Sequence, residues 1–433
     1  MPSYWIREFE VSDLWGRRDV SLTFDDRVNI IIGPNASGKT TLLNLLRYII
    51  TVDLEGLREI PFEEATLRLS AFAGRSRRTI CVEKRRDGVT YRISKRSIDL
   101  DYDDRPAYRQ LFTTTGALGR RRLRERRVSP DRSELTNVMK SLVSAAWLPV
   151  SRRLPIGPFL EHQGPDFGEA ELESVDVRLR ELLAELKAYR SALNAQLSER
   201  YSQFEKDVLA TILYSKKYDR IEAISSVDRP TDADKGQLIR AFRAARLLDD
   251  DTKTRIDEHF EAANEALDRI AAGTEEEQAT IELEDFLIIP LIGRTKTIVE
   301  FAREMETYRE DLFRPVRRFE DILNSFLADK QVSISDAGQA EIRSRQADEE
   351  ISPMLLSSGE KQLLILLIQA LLWEDRPVVY VVDEPELSLH IEWQEKLLKG
   401  LVELGRSIQL IVATHAPEIV NGFKDRVIAL SLK

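Results

Sequence analysis

The stretch Val28-Asn29-Ile30-Ile31-Ile32-Gly33-Pro34-Asn35-Ala36-Ser37-Gly38-Lys39-Thr40-Thr41-Leu42 runs from a mostly apolar segment through a turn bounded by glycines into a lysine-threonine pair. Gly33 to Thr40 has the GxxxxGK[ST] spacing. In such a loop, backbone N–H groups and the lysine cradle nucleotide phosphates, and the hydroxyl reaches a magnesium ion. Leu42, Leu43, Leu45, Leu46 and Ile49 recur at helical spacing, so the loop is predicted to join a strand to a helix over 39–50. That helix would aim its unpaired N–H groups and dipole at an anion. The candidate nucleotide-binding residues are therefore Asn35, Ala36, Ser37, Gly38, Lys39, Thr40 and Thr41, with Thr40 also a candidate metal ligand. Ala36 stands where glycine is common, and is expected to be tolerated because glycine is needed only where the backbone demands it.

Far along the chain, Val378-Val379-Tyr380-Val381-Val382 is a continuous apolar run, as expected of a strand buried on both faces, and it ends in Asp383-Glu384-Pro385. Asp383 at its tip fits a metal ligand, and Glu384 fits a base that polarises a water for attack on a γ-phosphate. The bland alternative is a pair of acids capping the next helix. Leu410 to Ala413 reads as another buried strand, ending in Thr414-His415; a histidine there can donate to a γ-phosphate, or be a satisfied structural histidine. Upstream, Leu356-Ser357-Ser358-Gly359-Glu360 precedes an apolar helix over 361–372. Ser357, Ser358 and Gly359 at its N-terminus fit either an anion site or an ordinary cap with Glu360 in the first turn.

The chain has 433 residues, 42% apolar and 32% charged, enough for a sizeable core and a subdomain. No apolar run nears the roughly 20 residues of a membrane span. The opening Met1-Pro2-Ser3-Tyr4 lacks the pattern of a secretory signal, so a cytoplasmic protein without membrane association is expected. Cys81 is the single cysteine and the four histidines lack neighbouring partners, which argues against disulfide and zinc chemistry. A net charge of -10 argues against a surface that coats nucleic acid throughout. Two basic stretches remain, Arg120 to Arg127 with six arginines in eight positions, and Arg75, Arg77, Arg78, Lys84, Arg85 and Arg86. Each is either a solvated face or a phosphate-contacting patch.

Thr66 to Ser70, Arg78 to Glu83 and Val89 to Ile93 read as antiparallel strands, and Ala145 to Val150 as a buried one. From about 172 to 327 the texture turns helical, with apolar stripes from Leu172 to Leu197 and from Ile298 to Ile322 that predict an antiparallel helical arm. Pro230, Gly236, Gly273, Pro290 and Gly293 are expected to divide it into several helices. Gln331 to Ser335 and Glu341 to Arg343 predict a short hairpin back to the body.

The order of these motifs, with the helical insert, resembles ABC-type ATPases of the RecF, SMC and OLD-like group (AAA_15/AAA_21-like) over roughly 4–50 and 331–430. The resemblance implies an α/β fold: a P-loop ATPase head, with a mixed sheet flanked by helices, built from 1–160 and 329–433, and a helical or short coiled-coil insert over 161–328. It implies ATP and Mg2+ as cofactors, ATP hydrolysis, and a homodimer or higher homo-oligomer in which Ser357, Ser358 and Gly359 form the signature segment that contacts ATP held by another protomer. Glu386-Leu387-Ser388-Leu389-His390 resembles the D-loop that touches the partner, and Thr414-His415 the H-switch. The glutamine that senses the γ-phosphate stays unassigned, since Gln163 has unconvincing spacing.

The Glu-Pro-Glu-Leu-Ser-Leu-His and Ala-Thr-His-Ala-Pro stretches are similar to those in ATPases of bacterial anti-phage systems such as OLD, Septu and PARIS. OLD nucleases carry a Toprim domain after the equivalent of Thr414-His415, whereas eighteen residues follow His415 here. A separate effector protein, nuclease or toxin, is therefore expected. The alternative is a RecF- or SMC-like ATPase of DNA repair or maintenance, with Arg120 to Arg127 on phosphate backbones. A transporter subunit fits poorly because of the insert.

Overall fold

The computed structural model of the chain describes residues 4–34, 36–94, 96–102, 130–148, 174–213, 229–244, 248–275, 283–373, 376–405 and 407–430. Asn35, Gln163 and Arg120 to Arg127 lie outside them. The chain divides into two compact units: residues 1–186, 318–335 and 339–433 form the first, and 187–317 with 336–338 the second.

The first unit holds two large sheets and a hairpin. β1 (Tyr4–Leu14), β2 (Arg18–Thr23), β4 (Glu64–Ala71), β5 (Arg77–Lys84), β6 (Gly88–Ile93) and β7 (Arg96–Asp101) form an antiparallel sheet in the order β2-β1-β4-β5-β6-β7. β3 (Val28–Ile32), β8 (Ala145–Leu148), β11 (Val378–Asp383), β12 (Ile408–Ala413) and β13 (Val427–Ala429) form a parallel one in the order β13-β3-β12-β11-β8. The α/β fold expected from the sequence is thus built with its antiparallel and parallel strands in two separate sheets.

α1 (Lys39–Thr51) follows β3, and α2 (Leu54–Glu59) and α3 (Pro130–Leu142) lie nearby in the chain's first third. Leu42, Leu45, Leu46 and Ile49 of α1 share one core with Phe9, Leu67 and Val82 of the antiparallel sheet and Val381 and Ile411 of the parallel sheet. Burial on both sides explains why β11 and β12 are nearly continuous apolar runs. One exception, Gln409, is fully buried and satisfied: its amide donates to the carbonyls of Ile6 and Asp25 and accepts from the N–H of Ile6. The hairpin of β9 (Lys330–Ile334) and β10 (Ala340–Ser344), then α8 (Ser358–Leu372) and α9 (Ile391–Leu404), complete this unit.

The basic stretch over 75–86 does not form one patch. Lys84 donates to the carbonyls of Leu57, Arg58 and Ile60 at 2.9, 3.0 and 2.6 Å, closing the C-terminus of α2, and burial pushes its ammonium below the ordinary 10.5. Arg85 pairs with Asp99 and Asp101. Arg75, Arg77 and Arg78 remain exposed around the β4–β5 turn.

The second unit contains most of α4 (Ser174–Ala210), α5 (Asp232–Ala244), α6 (Asp250–Glu275) and most of α7 (Leu283–Phe326). Within it α4 and α7 run antiparallel: the Arg190 guanidinium lies 3.9 Å from the Phe313 ring centre, Arg200 is 3.6 Å from Glu304, and Arg294 donates to the Thr211 carbonyl. Leu238, Ile256, Phe260 and Val299 join α5, α6 and α7 in a small core. Of the expected interruptions, Pro230 does lie between α4 and α5, whereas Gly236 is inside α5, Gly273 inside α6, and Pro290 and Gly293 inside α7, which also runs through Pro315. Apolar packing along the helices outweighs the local cost of these residues. No helix among the described residues is long and apolar enough to cross a membrane.

Candidate nucleotide site

The parallel order places β12 between β3 and β11, so the segments after these three strands emerge side by side at one sheet edge, where α/β sheets bind ligands. After β3 comes the glycine-bounded loop; after β11, Asp383-Glu384; after β12, Thr414-His415. A cleft of about 400 Å³ there is lined by Trp15, Ala36, Ser37, Gly38, Lys39, Thr40, Thr41, Glu384 and His415.

Gly38 caps α1 with φ 91°, and a Cβ there would lie 2.5 Å from the Trp15 ring. Glycine is thus required both by conformation and by space. Ala36 also has a left-handed backbone, φ 62°. The loop thus holds an alanine where its geometry favours glycine, so the tolerance expected of this residue comes with backbone strain.

Lys39 is 4% exposed, and its Nζ donates to the carbonyls of Gly33 and Pro34 at 2.8 and 3.2 Å. Burial pushes this ammonium below the ordinary 10.5, while the charges of Glu384, Asp383 and Glu386 pull it back up. Nζ stands 3.4 Å from His415 Nδ1, and His415 Nε2 is 3.9 Å from Glu384 Oε1. Glu384 has φ 50°, and its N–H donates to the Ala413 carbonyl at 2.7 Å. Strain of this kind in a non-glycine residue clusters at functional sites.

Burial raises the Asp383 carboxyl above its ordinary 3.8; a hydrogen bond with Thr40 opposes this, Glu384 and Glu386 add to it, and Lys39 opposes it. Asp383 Oδ1 is buried without a hydrogen-bond partner among the described residues. An orphaned carboxylate oxygen beside a threonine hydroxyl fits a hard divalent cation.

Ser357, Ser358 and Gly359 do not line this cleft. They start α8 elsewhere in the same unit, where Ser357 and Glu360 form a reciprocal capping box, so the ordinary-cap geometry is realised. Glu360 also accepts from Lys330 at 2.6 Å, and Lys361 pairs with Asp176 at 2.8 Å. Gly359 packs so closely on the Ser388 carbonyl that a Cβ would lie 2.3 Å from it.

Two site residues, Trp15 and Arg18, were not singled out from sequence, and a third, Glu386, was read only as part of the D-loop-like stretch. Trp15, at φ 59° in the β1–β2 turn, is held by its N–H to the Pro61 carbonyl. Arg18 donates to the Ser37 carbonyl at 2.6 Å, with its guanidinium 4.8 Å from the Trp15 ring centre. Glu386 grips the backbone around His415. The only sequence signal for the first two is an aromatic and an arginine at a hairpin tip.

A lysine-bearing loop, a tip aspartate beside a threonine, and a glutamate-histidine pair at adjacent parallel strand ends define an α/β P-loop ATPase. The chain belongs to the AAA_21 family, described as "AAA domain, putative AbiEii toxin, Type IV TA system", whose profile spans residues 28–421. A curated relative from Vibrio cholerae serotype O1 biovar El Tor, "Retron Vc95 probable ATPase", is 29% identical over 128 residues, covering 26% of this chain and 24% of that protein. The match thus spans about a quarter of that relative's length. Among solved structures, the Smc head domain of Pyrococcus furiosus with an extended coiled coil, bound to the C-terminal domain of ScpA, gives a TM-score of 0.42 at 14% identity, over 99% of this chain and 93% of that one. The Smc head domain of Pyrococcus yayanosii with a coiled coil and joint gives 0.44 at 14%, over 100% and 96%.

Proposed function

We propose that the chain binds and hydrolyses ATP as a dimerisation switch, acting in the cytoplasm as the sensor ATPase of an anti-phage defence system with a separate effector. The observation that carries it is the convergence of Lys39, Glu384 and His415 on one cleft that Ser357 to Gly359 of the same chain do not line. A signature segment that does not line its own chain's cleft is what a site completed by a second copy requires. The defence role rests on the family description and on the retron relative.

In this reading the loop amides and Lys39 hold the phosphates, Thr40 and Asp383 hold magnesium, Glu384 orients the attacking water, and His415 senses the γ-phosphate. Magnesium, when bound, neutralises phosphate charge. Lys39 exchanges the Gly33 and Pro34 carbonyls for phosphate oxygens. The head comprises 1–160 and 329–433, and the insert over 161–328 moves when two heads close. Shifting such an equilibrium from 1:99 to 99:1 takes ~5.5 kcal/mol of differential binding.

The test is solution mass and turnover of Glu384→Gln with Mg-ATP. A long-lived dimer without phosphate release is expected. A monomer under saturating nucleotide removes the switch, and normal hydrolysis removes Glu384 from the chemistry. The DNA-maintenance reading draws on exposed Arg75, Arg77 and Arg78, and requires salt-sensitive DNA binding that stimulates hydrolysis.

A further inference from the structure

Glu386 points its carboxylate back into its own chain. Oε1 accepts from Thr414 Oγ1 at 2.7 Å, from the His415 N–H at 2.9 Å and from the Ala416 N–H at 3.3 Å. Thr414 is fully buried; its hydroxyl also accepts from the Ala416 N–H at 2.9 Å, and its own N–H donates to the Ile31 carbonyl of β3 at 3.1 Å. The turn carrying His415 is therefore tied on one side to the strand that feeds the phosphate loop and on the other to the segment after β11. The clamp is itself braced, since Gln394 of α9 donates to the carbonyls of Glu386 and Leu389 at 3.4 and 3.0 Å.

Three donors on one oxygen suit a carboxylate, whose charge strengthens each bond, better than a neutral amide. Glu386 Oε2 is buried with no hydrogen-bond partner among the described residues, so the negative charge is held near the site at a desolvation cost. Surface capping alone does not explain a charge kept there.

We propose that Glu386 is a positioning residue for hydrolysis, acting through the Thr414-His415-Ala416 turn. By fixing the main chain of His415 it fixes where the ring stands, 3.4 Å from Lys39 Nζ and 3.9 Å from Glu384 Oε1. This rests on the reading of His415 as the γ-phosphate sensor. Glu386 touches no reacting atom; without it the turn is free to rotate and the histidine to leave its two neighbours.

The test compares the full-length chain with Glu386→Ala, Glu386→Gln, His415→Ala and the Glu386→Ala/His415→Ala double variant. Hydrogen exchange of peptides covering 410–420 reads the clamp whether or not the chain turns over ATP; a fluorescent ATP analogue reads affinity, and phosphate release reads kcat. Glu386→Ala should speed exchange and lower kcat about 10- to 100-fold with affinity little changed. The isosteric Glu386→Gln, which keeps one acceptor, should recover part of both. The double variant should be no slower than His415→Ala, because both changes act through one ring. Unchanged exchange in Glu386→Ala, or losses that multiply in the double variant, overturns the proposal. Wild-type protein that binds ATP without hydrolysing it overturns the hydrolytic reading instead, and exchange alone then decides the clamp.

Discussion

The Nδ1 of His415 stands 3.4 Å from the ammonium of Lys39, and its Nε2 stands 3.9 Å from the carboxylate of Glu384. An ammonium only donates, so Nδ1 must accept, which leaves the proton on Nε2, facing the carboxylate. The ring thus sits between the group assigned to phosphate binding and the group assigned to water activation, and β12 puts it there because that strand runs between the other two.

His415→Ala is expected to lower kcat for ATP hydrolysis by about a hundredfold, the scale of losing one preorganised donor, while nucleotide affinity changes little because Lys39 and the loop amides remain. Phosphate release alongside equilibrium binding checks this. Wild-type turnover in the variant would make His415 a bystander.

Gly359→Ala should disturb the start of α8 without touching the cleft. The added Cβ meets the backbone carbonyl of Ser388, not the end of a flexible side chain, and Ser388 is itself left-handed at φ 68°. A loss of about 1–3 kcal/mol in unfolding free energy is expected from such overpacking. Intrinsic nucleotide binding at Lys39 should persist. If ATP draws two copies together through this turn, nucleotide-dependent dimerisation fails as well, as solution mass would record.

Ala36→Gly offers the opposite sign. Alanine at φ 62° costs roughly 1–2 kcal/mol relative to its preferred backbone, and glycine returns about 0.5–1 kcal/mol of that as unfolded-chain entropy. A net gain of about 0.5–1 kcal/mol in urea unfolding is expected. A loss would mean that the alanine methyl packs in a way that outweighs the strain.

The features legible in the sequence were those set by neighbours along the chain. The phosphate loop between β3 and α1, the apolar runs of β11 and β12, and the stripes of α4 and α7 follow from spacing and period alone. What stayed hidden depends on partners distant in sequence. Lys84 reads as one more cation until the three carbonyls ending α2 are known. Glu386 reads as a D-loop residue until Thr414 to Ala416 are placed beside it, and nothing local shows that Trp15 and Arg18 fold onto Gly38 and Ser37. Pro290 signals a break that packing overrides.

Stability should depend on pH through Glu360. Burial raises this carboxyl, but the Lys330 ammonium and the N–H and hydroxyl of Ser357 more than offset it, leaving the group below its ordinary 4.5. Since the folded carboxyl is the stronger acid, its contribution is complete above the range of an unfolded glutamate. That contribution fades as pH falls through the lower folded value. Glu360→Gln should therefore be less stable than wild type at pH 7, by about 1 kcal/mol for the lost, largely buried ion pair with Lys330, the cap itself being kept by Ser357 and the glutamine. The two melting curves should converge as the pH falls through the lowered folded value, where the wild-type carboxyl is itself protonated. Melting temperatures measured from pH 7 to pH 3 decide the matter: a gap that stays constant across the range would mean that the side chain's shape, and not its charge, holds the start of α8.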